Sequence, residues 1–360
     1  MELFKFTSIS GSPFLGGQVL NKAKTTTWIE RYREPGEFKL EAPLSSGLRE
    51  AVPIGTFISH VNTKEVMVVE DHTLKDTKTS EPMLSITGRS LDAIVDNRIV
   101  GANLAYAPTT PALEYVLAAA PVGQQAVTLI SQHILAGQVT DPNDEIPYLV
   151  VATSVPSEGE QLVRVVQRTS VHKALLELLE VGNYGIKSVR LPDGTVKLEI
   201  HKGVDRSATV SFSWKFGELE SSEYLFSTRK NKNTALVKGR FVEQMVYTGA
   251  NKYDRRVLLV DAADLDDYLD EYPVGTVLTD IRAKMVVRGQ QALMLNNDVD
   301  IVTADISNKT KFKYRQDYEV GDIVSIEGSF EASDNRRVTE YTEIEDETGE
   351  TGHPTLEHLQ

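Results

Sequence analysis

The sequence predicts an α+β protein that is mainly β, and three observations carry that reading. Residues 1–100 contain several short segments in which apolar and polar residues alternate, the period of a half-buried strand. Residues 101–185 change to helical spacing, and strands return after Gly185. A stretch from about 261 to 296 reads as a helix pair set into the second strand-rich part.

Taken in order, Thr27–Tyr32 and Glu37–Leu40 flank Arg33-Glu34-Pro35-Gly36, a turn in which proline presets one dihedral and glycine permits the next. Thr56–Val61, Glu65–Val69 and Leu84–Thr87 continue the pattern, and short strands at such spacing predict a small barrel or sandwich. Lys75–Pro82 is polar and reads as a mobile loop. Met83–Val100 is the pivot of the chain. Leu84 and Ile86 alternate with Ser85 and Thr87, Gly88 supplies a sharp turn, and Ser90 stands where a helix N-cap belongs. Leu91, Ile94, Val95 and Ile99 then form one apolar helical stripe, with Asp96, Asn97 and Arg98 opposite.

Thr110-Pro111 opens a helix over Ala112–Ala120. Gln124–Leu135 is a second, with Val127, Ile130 and Ile134 on one face and Gly137 as its stop. Thr140–Tyr148 reads as loop. Ser170 caps a third helix, Val171–Val181, which ends at Gly182. Ile186–Arg190 and Thr195–His201 surround Leu191-Pro192-Asp193-Gly194, a hairpin signal. Thr209–Trp214 alternates, and Ala235–Val237 and Phe241–Tyr247 are further strands. Asp261 caps a short acidic helix to about Tyr272, and a longer one runs from Leu278 to Leu295 with Ile281, Met285 and Leu293 inward. Lys311–Tyr314, Ile323–Glu327 and Arg337–Ile344 close the β part, and the last dozen residues read as a loose polar tail.

Composition narrows the function classes. The chain has 360 residues, enough for two or three domains, and no cysteine, so disulfides and thiolate metal sites are excluded. No apolar run approaches a membrane span, and the N-terminal residues lack the pattern of a secretory signal, which predicts synthesis in a cytosol. The net charge of −14 opposes a protein that grips phosphates, yet suits a surface past which DNA must slide.

Catalytic signatures are scarce. Dinucleotide, P-loop, zinc-protease and nucleophile-elbow patterns are missing, and Gly16-Gly17 is read as a turn. His60, His72, His133, His172, His353 and His358 are dispersed without metal-ligand spacing, and are read as structural or solvent-facing. Asp264, Asp266, Asp267, Asp270 and Glu271 lack a calcium-loop pattern and read as a solvated helix face. Arg89 and Arg98 could clamp a carboxylate, although ion pairs within the protein or between subunits are favoured. Trp28 with Tyr32, or Trp214 with Phe216, could stack on a sugar, but on strands they are more often core or subunit contacts. Asn308-Lys309-Thr310 is a chance sequon. The expectation is therefore a protein with no catalytic, cofactor or metal site.

Several pieces together resemble the tail-tip (baseplate) hub proteins of long-tailed bacteriophages, the siphophage branch. They are Trp28-Ile29-Glu30-Arg31-Tyr32 with Pro35-Gly36-Glu37-Phe38; Ile86-Thr87-Gly88-Arg89-Ser90-Leu91 with Asn97-Arg98-Ile99; Gly203-Val204-Asp205-Arg206-Ser207; Thr228 to Lys238 with Asn231-Lys232-Asn233; Asp317-Tyr318-Glu319-Val320-Gly321-Asp322-Ile323-Val324; and Arg337-Val338-Thr339-Glu340 with Gly349 and Pro354. The resemblance implies two small β-barrel hub domains, with helix-containing domains beside and inserted between them. The expected division is 1–100, a first barrel; 101–206, a helix-rich α/β domain; and 207–360, a second barrel with the inserted helix pair and tail. It further implies a homotrimeric ring at the virion tail tip. That ring would dock on the hexamer of distal tail protein, hold the C-terminus of the tape-measure protein in its lumen, pass DNA, and carry downstream tip, fibre or spike proteins. The alternatives are a cell-envelope-degrading glycosidase or peptidase, and a receptor- or carbohydrate-binding module.

Overall fold

The computed structural model describes residues 2–6, 17–77, 80–101, 115–135, 138–139, 142–152, 155, 157–158, 161–166, 169–249, 253–266, 269–296, 298–306, 310–327 and 334–358. Mainly β with a few helices, it follows the alternation seen in the sequence. β1 (Leu3–Phe6) and β2 (Gly17–Leu20) pair antiparallel. β3 (Thr25–Arg31) and β4 (Glu37–Pro43) follow, and β4 buries Phe38, Leu40 and Ala42 at every second position. After the single turn of α1 (Leu48–Ala51) come β5 (Phe57–His60), β6 (Val66–Thr77) and β7 (Ser80–Ser90).

The middle of the chain gives β8 (Tyr115–Ala120), α2 (Val122–Ile134), β9 (Leu149–Val151), β10 (Leu162–Val166), α3 (Val171–Gly182), β11 (Gly185–Arg190) and β12 (Val196–His201). Its strands form a two-stranded and a three-stranded sheet. α2 and α3 pack with them around Leu129, Ile130, Leu175, Leu179 and Leu198.

The last part gives β13 (Ser211–Ser213), β14 (Leu219–Ser227), β15 (Thr234–Lys238), β16 (Glu243–Tyr247), β17 (Val257–Asp261), α4 (Gly275–Met294), β18 (Val299–Ile306), β19 (Ile323–Glu327), β20 (Asp334–Asp346) and β21 (Gly349–His358). β15–β17 and α4 form a small unit between β14 and β18, with its own core of Val237, Val246, Ile281 and Met285.

Thirteen strands from both ends of the chain join one sheet, in the order β14-β18-β21-β20-β3-β4-β7-β6-β5-β1-β2, with β19 on β20 and β13 on β19. Among the described residues the path is open and does not close into a barrel. The link between the two ends is antiparallel pairing of β20 with β3, Glu340 opposite Arg31 through Glu345 opposite Thr26.

The structure departs from the sequence reading at several points. Lys75–Thr77 and Ser80–Pro82 belong to the two strands of a long hairpin, with Lys75 opposite Met83; Lys75, Asp76 and Glu81 are exposed there, a polar pattern that an alternation search scores as loop. Gly88 makes no turn. It lies within β7, where a Cβ would meet the Val68 carbonyl oxygen at 1.8 Å, so the glycine permits close strand approach. The apolar stripe beyond it forms a 3₁₀ helix over Leu91–Asn97, not an α-helix. Ile99 leaves the stripe, bridges Ser170 and is half exposed.

Tyr115–Ala120 is a strand, while Thr110-Pro111 and Gly137 lie outside the described residues. α3 is closed by Asn183 in the left-handed region (φ 52°), with Gly182 its last helical residue; the Ser170 hydroxyl accepts from Lys173 N–H as the cap predicted. Among the described residues of the acidic segment, the helical part is a 3₁₀ turn, Ala263–Leu265. Lys311–Tyr314 is loop. The supposed loose tail is β21, paired with β20 from Arg336–His358 to Asp346–Gly349 and with β18. Strand pairing supplies the order that its polar composition hides.

Candidate functional site

β3 alternates Thr26, Trp28 and Glu30 toward one side, so its period places an acid in phase with a wholly buried tryptophan. The Glu30 carboxylate accepts from Trp28 Nε1 at 3.2 Å, from the Tyr314 hydroxyl at 2.5 Å and from Arg315 Nη2 at 3.0 Å. On neighbouring β20, Glu343 lies opposite Trp28 and pairs with the other branch of Arg315 at 2.5 Å. One guanidinium thus holds two strands together through two carboxylates, buried Glu343 and partly buried Glu30. Arg315 itself sits at φ 67°, a region that residues with a Cβ seldom occupy. The loop that imposes this is fixed by Arg315 N–H to Tyr318 O at 2.8 Å and by Tyr314 stacked on Tyr341 at 3.6 Å.

Burial opposes charge on Glu343, but His60 and Arg315 outweigh it and hold the carboxyl well below the usual range. His60 accepts Asn62 N–H on Nδ1 at 3.1 Å, which leaves its proton on Nε2, 3.7 Å from Glu343. Glu65 completes the cluster. Burial, with Glu30 and Asp92 adding to it, raises its pKa well above the ordinary value. It borders a cavity of about 240 Å³ lined by β3, the Asn62–Glu65 turn, β11, β12 and the Tyr314–Val320 loop.

A second polar junction adjoins the first. Tyr32 donates to Asn183 O at 2.9 Å or Lys202 O at 3.0 Å, and buried Arg337 donates to the carbonyls of Lys202 and Gly321, each at 2.5 Å. Asp322 accepts Val204 N–H at 2.7 Å, Glu319 N–H at 3.0 Å and Arg206 Nε at 2.6 Å. His201, facing the ring of Tyr32, is pushed down to about 3 by burial and the nearby Lys187 charge. Three of the sequence pieces quoted above, Trp28–Tyr32, Gly203–Ser207 and Asp317–Val324, therefore meet here, where the β20–β3 pairing that joins the two ends of the chain contacts the middle body.

The residues weighed from sequence are distributed elsewhere. Arg89 grips Glu70 bidentately at 2.8 and 2.9 Å. Arg98 pairs with Asp144 at 3.2 Å. His72 bonds Val52 O, His133 lies between Leu129 O and Gly101 N–H, and His172 pairs with Glu34 at 3.4 Å. His353 and His358 are in β21. Asp266 is not on a solvated face: wholly buried, it accepts Arg240, Phe241 and Val242 N–H at 2.6–2.9 Å. Asp264 binds Arg288, and Asp267, Gly16 and Asn308 lie outside the described residues.

Trp28 and Tyr32 are core, which removes them as a sugar platform, whereas Trp214 is 38% and Phe216 76% exposed on a 3₁₀ turn. Among the described residues no three His, Asp or Glu side chains gather in a way that could hold a metal ion. Sequence reading missed Glu30, Glu65, Glu343 and Arg315. The available signal was an acid at the inward phase of a strand that also carries tryptophan.

The family model described as Siphovirus ReqiPepy6 Gp37-like protein matches residues 15–356. The fold is similar to that of the prophage MuSo2 43 kDa tail protein from Shewanella oneidensis, at TM-score 0.55 and 13% identity over 99% of this chain and 98% of that one. It is also similar to the tail protein from Neisseria meningitidis MC58, at TM-score 0.52 and 13% identity over 99% and 95%. No curated protein matches the chain.

Proposed function

Because this chain belongs to the Siphovirus ReqiPepy6 Gp37-like protein family, we propose that it is a structural hub subunit of a bacteriophage tail tip. Family membership across residues 15–356 carries the reading, and the fold shared with two tail proteins, one of them from a prophage, over nearly the whole chain supports it. The protein acts by shape and assembly, with no reaction of its own.

In this reading three copies form a ring. The strands on the two sides of the β20–β3 pairing would act as two modules of one open sheet, giving the trimer a pseudo-sixfold face. That face docks on the distal tail hexamer, the lumen holds the tape-measure C-terminus before infection and passes DNA afterward, and tip or fibre proteins attach below. The working divisions are 1–100, 101–206 and 207–360. Two connections favour a rigid subunit of this kind: Arg315 ties β3 to β20, and Arg337 ties the middle body to the Gly321 loop. Lumen-facing carboxylates would keep DNA moving; a basic bore in the assembled ring would contradict this.

Light scattering on the purified protein, with negative-stain images, tests the proposal. A threefold ring with a central hole is expected. Peptidoglycan zymography separates the enzymatic alternative, since a clearing band lost on acid-to-amide substitution would overturn the structural reading.

A further inference from the structure

Buried and partly buried carboxylates in this protein are mostly served by donors. Asp266 has three N–H groups, Asp322 has two N–H groups and Arg206, and Glu30 and Glu343 share Arg315. Glu65 differs. Its residue is only 9% exposed, and its Oε2 is out of solvent without a hydrogen-bond partner. A carboxylate so placed is strongly unfavourable unless a donor meets it.

Arg315 and Lys187 act on Glu65 through space, but no ion pair joins either to it among the described residues. Arg315 is held by Glu30 and Glu343, and Arg31 by Glu37 at 2.9 Å and Glu340 at 2.7 Å. Lys187 lines the same cavity. Glu199, also in the lining, is already served by Lys197 at 2.5 Å. Among the described residues no carboxylate-and-imidazole group could hold a metal ion, and a cavity of about 240 Å³ is small for a drug-sized molecule. It suits the tip of a flexible cationic chain.

We propose that this cavity is a binding site for a primary ammonium or guanidinium group, whose N–H donors meet the Glu65 carboxylate. The site is independent of the tail-tip reading: it would bind the same group in a monomer. Two sources share this chemistry, a free polyamine and a lysine or arginine side chain presented by a neighbouring protein.

The test uses the full chain and Glu65→Gln, titrated with n-butylammonium chloride against sodium chloride at equal ionic strength, read by thermal shift and by NMR. Wild type should show a saturable response, with Glu65→Gln folded and binding weakened about tenfold or more, as for loss of one charge-assisted hydrogen bond. An equal response in both, or none in wild type, overturns the proposal. Lys187→Met should leave the affinity within about twofold, well under the tenfold that one such bond is worth. Markedly tighter binding in that variant would mean that Lys187 fills the site in solution, and would overturn it too. Tighter binding of spermidine than of butylammonium identifies a free polyamine as the source. Equal binding of butylammonium and Nα-acetyl-lysine methylamide, with no gain for spermidine, identifies a side chain.

Discussion

Gly203 and Gly321 meet backbone to backbone: a Cβ on Gly203 would lie 1.9 Å from the Gly321 carbonyl oxygen. Gly203 also has φ 75°, so it is needed for both its conformation and its lack of a side chain. The contact holds the exit of β12 against the loop that leads into β19. Gly203→Ala should destabilise the protein by about 2 kcal/mol or more, the sum of left-handed strain and a shifted backbone. A lower denaturant midpoint at unchanged slope would show it.

Asp266→Ala should strip the acceptor from three N–H groups of the Gly239–Val242 turn. With buried donors left unpaired, the expected loss is roughly 3 kcal/mol. Hydrogen exchange should quicken first at residues 240–242 and in β15 and β16, while β3 and β20 keep their protection.

Arg315→Met should be among the most damaging single changes, at about 3–5 kcal/mol, because it leaves buried Glu343 and partly buried Glu30 without their cation. Chemical denaturation measures the loss. Near-wild-type stability in this variant would show that the β3–β20 junction rests on apolar packing alone.

Much of the fold was legible. Alternation located β3, β4, β11 and β12, apolar spacing located α2 and α4, and Leu191–Gly194 marked its hairpin. The errors have one physical origin. Strand pairing between distant segments gives order to residues that carry little local signal, as in β21, in the end of the β6–β7 hairpin and in Tyr115–Ala120. The polar junction was less legible, since Arg315 lies 285 positions from Glu30 in the sequence. Asp266 was misread for the same reason: its donors lie 24–26 residues away.

Glu65 sets a pH dependence. Its carboxyl is raised in the folded protein, first by burial, from an ordinary value of 4.5. The native state therefore holds its proton more tightly than the unfolded chain. The stability gained is full below that ordinary value and is lost as pH rises through the raised one. Glu65→Gln should match wild type near about pH 4 and be more stable by about 1 kcal/mol or more at about pH 8. Thermal melts across that range check it, and a variant less stable at alkaline pH would contradict the assignment.

The central claim is that the chain works as an annular assembly. Size-exclusion chromatography with multi-angle light scattering tests it most directly. A mass three times the 39.9 kDa of one chain, maintained on dilution and replaced by a heavier complex on addition of the distal tail ring, is the predicted result. A mass of one chain under both conditions would contradict it.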